Sequence, residues 1–207
     1  MDQPYQPAPP RGRDQADGIR RGQRETRSAG ARPTVCSFPP VCSRRSRVLV
    51  LGSMPGAASL LAGQYYAYRH NAFWPIMGEL FGAGPQIGYA KRVLVLKRAG
   101  VALWDVMASC VRAGSLDADI DEASIVPNDF LAFFTAHPLV RHVFFNGAKA
   151  EHCFNRHVRA HLSGRLSFTR LPSTSPAHAA ASYARKLQAW RAVAGALQEH
   201  GLSSTMS

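Results

Sequence analysis

Four short apolar runs, residues 48–51, 101–106, 140–146 and 166–171, punctuate the second three-quarters of the chain. They predict strands, and the longer segments between them, with apolar positions at helical spacing, predict helices. The first run, Val48-Leu49-Val50-Leu51, has no polar position, which suits a strand covered on both faces. Helices are predicted over residues 71–81, 89–98, 129–136, 148–161 and 181–199. Asn71 is a suitable cap for the first of these, Pro75 fits its opening turn and Gly82 ends it. Gly100 ends the second behind a basic last turn, and Asn128 is the expected cap of the third. Residues 57–70 read as a long loop rich in Tyr, Gly and Ala, and a polar loop carries Asp117, Asp119 and Asp121. Strands alternating with helices define an α/β fold with a mostly parallel sheet.

Composition bounds this picture. The chain has 207 residues, 46% of them hydrophobic, enough for one compact domain and too few for two large ones. No apolar run approaches the ~18 residues needed to span a bilayer, and no secretory h-region follows the first basic residues. A soluble, cytoplasmic monomer without membrane contact is expected. Cys36, Cys42, Cys110 and Cys153 show no C-x-x-C pair, so they read as ordinary thiols, with a Cys36–Cys42 loop bridge as the alternative.

Charge changes the picture more. The formal net charge is +12. Residues 1–47 hold ten Arg, no Lys and seven Pro, with almost no aliphatic run to offset the entropy of ordering. The expectation is a disordered basic tail over residues 1–46, a domain over 47–200 and a flexible end over 201–207. The domain is itself basic, so a polyanionic partner such as nucleic acid fits through counterion release, as does a surface that merely aids solubility.

Active sites of open parallel sheets lie beyond the carboxyl ends of the strands. Gly52-Ser53-Met54-Pro55-Gly56, after the first strand, offers backbone N–H groups with little side-chain bulk, suited to a planar ring or an anion. It matches neither dinucleotide nor P-loop fingerprints, nor a hydrolase elbow. After the fourth strand, Leu171-Pro172-Ser173-Thr174-Ser175-Pro176-Ala177-His178 is a hydroxyl-bearing loop pinned by two prolines, able to grip phosphates. Alone, each segment is equally a plain connector. In this order with Tyr65-Tyr66-Ala67, Asn71-Ala72-Phe73-Trp74 and Leu103-Trp104-Asp105-Val106, however, they resemble the uracil-DNA glycosylase superfamily, and within it the hypoxanthine-DNA (deoxyinosine) glycosylase branch. The resemblance spans about residues 47–197.

That resemblance implies a three-layer α/β/α fold with a central four-stranded sheet. It also implies a monofunctional enzyme that flips a deaminated base from DNA, most simply hypoxanthine, and hydrolyses its N-glycosidic bond in base excision repair. By the same resemblance Asn71 is the catalytic residue, its carboxamide orienting water toward the sugar carbon; an amide is a poor base, so departure must run ahead of attack. Asp105 stands where uracil-cleaving relatives carry Asn. Ionised, it accepts from N1–H of hypoxanthine and repels the N1 lone pair of adenine. Tyr66 and Phe73 are candidates to stack on the base, and Gly52, Ser53, Met54 and Gly56 to contact it or the leaving anion. Ser173, Thr174, Ser175 and His178 are expected to hold the DNA strand.

Each role has a plainer reading: Asn71 as a helix cap, Asp105 as partner of a buried cation, Phe73 as core, His178 as surface. The remaining histidines lie at no metal-ligand spacing, so no metal or cofactor is expected. No lysine falls in these segments, which argues against a Schiff-base lyase step. The alternatives are a uracil- or xanthine-directed glycosylase of the same fold and a non-catalytic nucleic-acid-binding module. A small-nucleotide binder lacks the acidic ribose reader it would need.

Overall fold

A computed structural model describes residues 33–162, 164 and 166–203, with side chains described as far as residue 198. The strands are β1 (Thr34–Cys36), β2 (Val48–Gly52), β3 (Val101–Asp105), β4 (Met107–Val111), β5 (Val126–Pro127), β6 (His142–Asn146) and β7 (Ser167–Leu171). The α-helices are α1 (Ala57–Ala62), α2 (Phe73–Phe81), α3 (Tyr89–Ala99), α4 (Phe130–Ala136), α5 (Ala148–His157) and α6 (Tyr183–Ser203).

Four strands form the main sheet in the order β3-β2-β6-β7, every neighbouring pair parallel. Successive side chains of a strand point to opposite faces, and β2 divides accordingly. Val48 and Val50 pack with Phe73, Ile76 and Met77 of α2 and Trp190 and Val193 of α6. Leu49 and Leu51 pack with Phe130 and Phe133 of α4 and Cys153 and Phe154 of α5. Both faces are covered, which is why the run has no polar position. The fold is three-layer α/β/α, as expected, and the main sheet is wholly parallel.

Three features depart from the sequence reading. The first concerns the basic tail expected over residues 1–46: residues 1–32 lie outside the described part, but 33–46 are built into the fold. β1 pairs antiparallel with β4, Ser37 N donates to Ala108 O at 2.9 Å, and Val41 exchanges two backbone bonds with Leu103, at 2.9 and 2.8 Å. The physical reason is the exposed edge of β3, which residue 41 covers, together with apolar docking of Val35, Phe38 and Val41 on the two cores. Secondly, β1, β4 and β5 make a small antiparallel sheet in the order β1-β4-β5, where a loop was expected. Thirdly, the helix α1 interrupts the expected loop at residues 57–70; its Ala-Ala-Ser-Leu-Leu-Ala sequence is rich in helix formers but too short to show periodicity.

Smaller shifts occur at the boundaries. Asp129, rather than Asn128, caps α4 by accepting from Ala132 N at 2.9 Å. α5 ends at His157 and a single 3₁₀ turn, Arg159–His161, follows it. α6 continues to Ser203 across the start of the expected flexible end, and residues 204–207 lie outside the described part. All four cysteines are free thiols. Among the described residues, no helix is long and apolar enough to cross a membrane, and no group of His, Cys, Asp and Glu is placed to hold a metal ion.

Candidate active site

Gly52, Asp105, Asn146 and Leu171 end the four parallel strands on one rim, where Gly52 faces Asp105 and Asn146 faces Leu171 in the sheet register. The loops leaving this rim enclose a cavity of about 780 Å³. Two indoles, Trp74 and Trp190, hold these loops in place, and a third, Trp104, pins the segment ahead of β2. Trp74 Nε1 donates to Tyr65 O at 2.9 Å, Trp104 Nε1 to Phe38 O at 3.1 Å and Trp190 Nε1 to Pro172 O at 3.0 Å. Each ring is buried in a core while its polar tip pegs a loop.

Eleven of the twelve residues singled out in the sequence line this one cavity: Gly52, Ser53, Met54, Gly56, Tyr66, Asn71, Asp105, Ser173, Thr174, Ser175 and His178. Phe73 does not. It is fully buried, and its ring stacks against Tyr66 with centroids 3.9 Å apart. Phe73 therefore backs the Tyr66 ring instead of meeting a ligand, because the first turn of α2 faces the core.

Ala72, rather than the expected Asn71, is the N-cap of α2 and has no side-chain cap bond; Asn71 stands one residue ahead, where it lines the cavity and closes a local turn. Its Oδ1 accepts from Phe73 N at 3.0 Å, which fixes the carboxamide at the mouth of α2. One lone pair of Oδ1 and both protons of Nδ2 remain for the cavity. Ala72 N donates to Thr174 O at 3.0 Å, tying this segment to the loop after β7.

Asp105 forms the floor. It is 3% exposed, and its Oδ2 has no hydrogen-bond partner. Burial, reinforced by the negative charge of Asp117 and opposed by Arg112, pushes its carboxyl up to about 8. Desolvation without a contacting cation thus favours its protonated form over the ionised form expected from the sequence. A neutral carboxyl presents one donor and one acceptor. Its neighbour Tyr66 has φ +54°, the sole non-glycine at positive φ among the described residues, a conformation that costs about 1–3 kcal/mol. The Tyr66 hydroxyl is buried against the Asn146 side chain, which interacts with it without reaching good hydrogen-bond geometry. Burial and the Asp105 carboxyl raise its pKa, so it stays a phenol. An unpartnered carboxyl oxygen thus lies at the cavity floor, in a protein interior where such groups are almost always paired.

The hydroxyl loop is partly committed to its own structure. The Thr174 side chain is buried: Asn146 Nδ2 donates to its Oγ1 at 2.9 Å, and Thr174 N donates to Asn146 Oδ1 at 2.8 Å. This latch fixes the loop that carries Ser173 and Ser175 to the end of β6. Ser173 Oγ and Ser175 Oγ accept from Ser175 N and Ala177 N, leaving both hydroxyl protons outward, and His178 is exposed. Ser53 lines the cavity but donates its hydroxyl to Asp117 Oδ1 at 2.7 Å. A side chain at Gly56 would meet open space, so no close approach requires glycine there.

Four further residues escaped the sequence reading. Asn146 closes the floor, and its position at a strand end before Gly147 was the available signal. Lys149 lines the wall in an ion pair with Glu122. Lys186, 6% exposed, donates to Ser175 O beneath the hydroxyl loop, and Arg112, 2% exposed, donates to Pro55 O at 2.7 Å beneath the glycine-rich turn. Neither buried cation carried a sequence signal: Arg112 lies 57 residues from Pro55, and Lys186 sits on the helix after its loop, where a lysine reads as surface.

A three-layer fold with a deep, polar-floored cavity over the carboxyl ends of its strands defines a class of small-molecule or base-binding α/β domains. Residues 39–194 match the family described as the uracil DNA glycosylase superfamily, and the chain belongs to it. Two proteins described as hypoxanthine DNA glycosylase are similar over 114 residues, which is 55% of this chain and 71% of theirs. The one from Methanosarcina barkeri is 38% identical and that from Methanosarcina acetivorans 37%. A solution NMR structure from M. acetivorans, provisionally identified as a uracil DNA glycosylase, superposes with TM-score 0.67 and 32% identity. The match covers 80% of this chain and 99% of that one.

Proposed function

We propose that the chain is a monofunctional DNA glycosylase that extrudes a deaminated purine nucleotide, most simply deoxyinosine, and hydrolyses its N-glycosidic bond to leave an abasic site. One observation carries this reading: Asn71 lines the same cavity as a buried Asp105 carboxyl with an unpartnered oxygen, whose protonated form burial favours. The hypoxanthine edge consists of an N1–H donor beside an O6 acceptor. A neutral carboxyl matches both, accepting from N1–H and donating to O6. The Tyr66 ring, backed by Phe73, offers the surface for the base to stack on, an interaction worth roughly 1–3 kcal/mol.

The bond from C1′ to N9 breaks first, its electron pair leaving on the base. Charge then accumulates on O6, where the proton of Asp105 meets it, and an ionised carboxylate would repel it. Water held by the free lone pair of Asn71 Oδ1 adds to C1′, and its proton passes to solvent. A carboxamide cannot force a poor leaving group. Adenine fits the same neutral carboxyl, but departs badly without protonation, so the weakness of the base is itself a source of selectivity for the lactam anion. The Lys149 ammonium is paired with Glu122, which supports hydrolysis without a strand-cleaving amine.

The relatives described as hypoxanthine DNA glycosylase support the choice of base. The test is alkali cleavage of labelled duplexes containing inosine, uracil, xanthine or adenine, with wild type and Asn71→Ala. The reading requires inosine to be cut fastest and Asn71→Ala to lose that activity. Uracil or xanthine cut faster than inosine would move the substrate within the superfamily, and DNA binding without any abasic product would leave a binding module.

A further inference from the structure

The opposite rim of the main sheet gathers arginines. Arg47 directly precedes β2 and Arg141 directly precedes β6; Arg47 N donates to Gly100 O at 2.8 Å, and Arg141 N to Arg47 O at 3.0 Å. A depression of about 360 Å³ lies there, lined by Arg45, Arg47, Arg98, Ala99, Leu139 and Leu197. The turn that presents Arg44 and Arg45 is pinned. Ser46 N donates to Ser43 O and Ser43 N to the buried Ser46 Oγ, both at 3.0 Å, while Ser43 Oγ donates to Lys97 O at the end of α3. Gly100, at φ +86°, keeps the floor open. A side chain there would meet the Arg45 carbonyl at 3.2 Å and the Leu197 side chain at 3.3 Å.

The ion pairs among the described residues are Lys149–Glu122 and Arg170–Glu151, both elsewhere. Arg45, Arg47 and Arg98 therefore share one depression without a described ion pair, and Arg44 and Arg141 flank it along the chain. A solvated basic surface would scatter such side chains. Here a locked turn, a helix end and a strand start converge Arg45, Arg98 and Arg47 on one concavity. Guanidinium groups in this arrangement match phosphate oxygens. Beyond the arginines, the lining offers only Ala99, Leu139 and Leu197, with no polar group to read a base. That disfavours a mononucleotide and favours a sequence-blind grip on the backbone.

We propose that this depression binds the phosphate backbone of a second nucleic-acid segment, separate from the one whose nucleotide enters the Asn71–Asp105 cavity. Five strand residues at about 3.3 Å each separate the two rims by roughly 16 Å, so a straight duplex lying across one rim does not reach the other. The inference rests on the chain's engagement with DNA and is independent of which base is excised.

The test is capture of a labelled, undamaged duplex from solution by full-length protein already bound to a tethered duplex, with wild type, Arg45→Glu/Arg98→Glu and Arg45→Lys/Arg98→Lys. Wild type should retain the second duplex, the glutamate variant should lose it, and the lysine variant should keep it. The salt dependence of duplex binding should also flatten in the glutamate variant, by about 0.9 in log–log slope for each phosphate that is no longer neutralised. Single-turnover excision from a short damaged duplex should be unchanged, and capture is read whether or not any base is excised. Absence of capture by wild type, equal capture by the glutamate variant, or tight one-to-one binding of inorganic phosphate or a mononucleotide that the variant loses would each overturn the proposal.

Discussion

Gly52 and Asp105 end neighbouring parallel strands at the same register, and the carboxyl of Asp105 fills the space that any side chain at position 52 would need. The Tyr66 hydroxyl lies 3.3 Å from the same point. Glycine is required at 52 by this close approach, since its backbone is not in a left-handed conformation. Gly52→Ala is expected to displace the carboxyl, cost about 1–3 kcal/mol by overpacking and abolish base excision while leaving binding to undamaged DNA intact. Thermal melting and single-turnover excision check this; a fully active Gly52→Ala protein would remove Asp105 from the floor of the site.

The proton on Asp105 gives a second prediction. Its neutral form persists up to about pH 8, so excision by wild type should decline as pH rises through that value, and Asp105→Asn, which cannot ionise, should lose that limb of the profile. Stability carries the same signature with a defined sign. Between 3.8 and about 8 the unfolded chain releases this proton and the folded protein keeps it, so stability falls as pH climbs through that window and levels above it. Each unit of the displacement is worth about 1.4 kcal/mol. The difference in melting temperature between Asp105→Asn and wild type should therefore widen from pH 4 to 8 in favour of the variant. A constant difference would show that the carboxyl titrates normally.

Much of this arrangement is legible in the residues, and what is not has identifiable causes. The wholly apolar run of β2 announces a strand buried on both faces, and the turn residues after β2 and β7 mark the rim where the cavity lies. β1 is hidden because three residues paired at a sheet edge draw their stability from a partner far along the chain, at Thr34↔Val111 onward, and leave no local periodicity. Phe73 departs from its expected role because helical phase depends on where the helix starts. The start of α2 at Phe73, one residue later than an Asn71 cap allows, turns Phe73 inward and leaves Tyr66 to line the cavity. The Thr174 latch is hidden because its hydroxyl partner, Asn146, lies on another strand. The protonation of Asp105 follows from three-dimensional burial, which the chain order does not reveal.

The double use of Asn71 separates two effects that usually travel together. Asn71→Ala removes the acceptor for Phe73 N–H and should cost about 0.5–2 kcal/mol of stability, together with about 10²–10⁴-fold in excision rate if the carboxamide positions the attacking water. Asn71→Asp keeps an acceptor for that N–H, so it should melt near the wild-type temperature. Its stronger base should also preserve excision. An Asn71→Asp protein as inactive as Asn71→Ala, yet fully folded, would show that the amide protons, and not its oxygen, do the chemistry.

Tyr66 supplies the last contrast, between stability and activity at a single atom. Its hydroxyl is buried against Asn146 without good hydrogen-bond geometry, and a buried group left unsatisfied costs up to about 1–3 kcal/mol. In the free protein Tyr66→Phe should therefore be stabilising, while the stacking face against Phe73 is preserved. With an extruded base in the cavity the same hydroxyl gains an acceptor, so the variant should lose about tenfold in single-turnover rate, near 1.4 kcal/mol for one hydrogen bond. Tyr66→Ala loses the ring as well and should fall further, by the roughly 1–3 kcal/mol of a base–aromatic stack. Unfolding free energies and excision rates of the two variants test this together. A Tyr66→Phe protein that is less stable and fully active would mean that the hydroxyl serves the fold, and that the base is read by Asp105 and Asn146 without it.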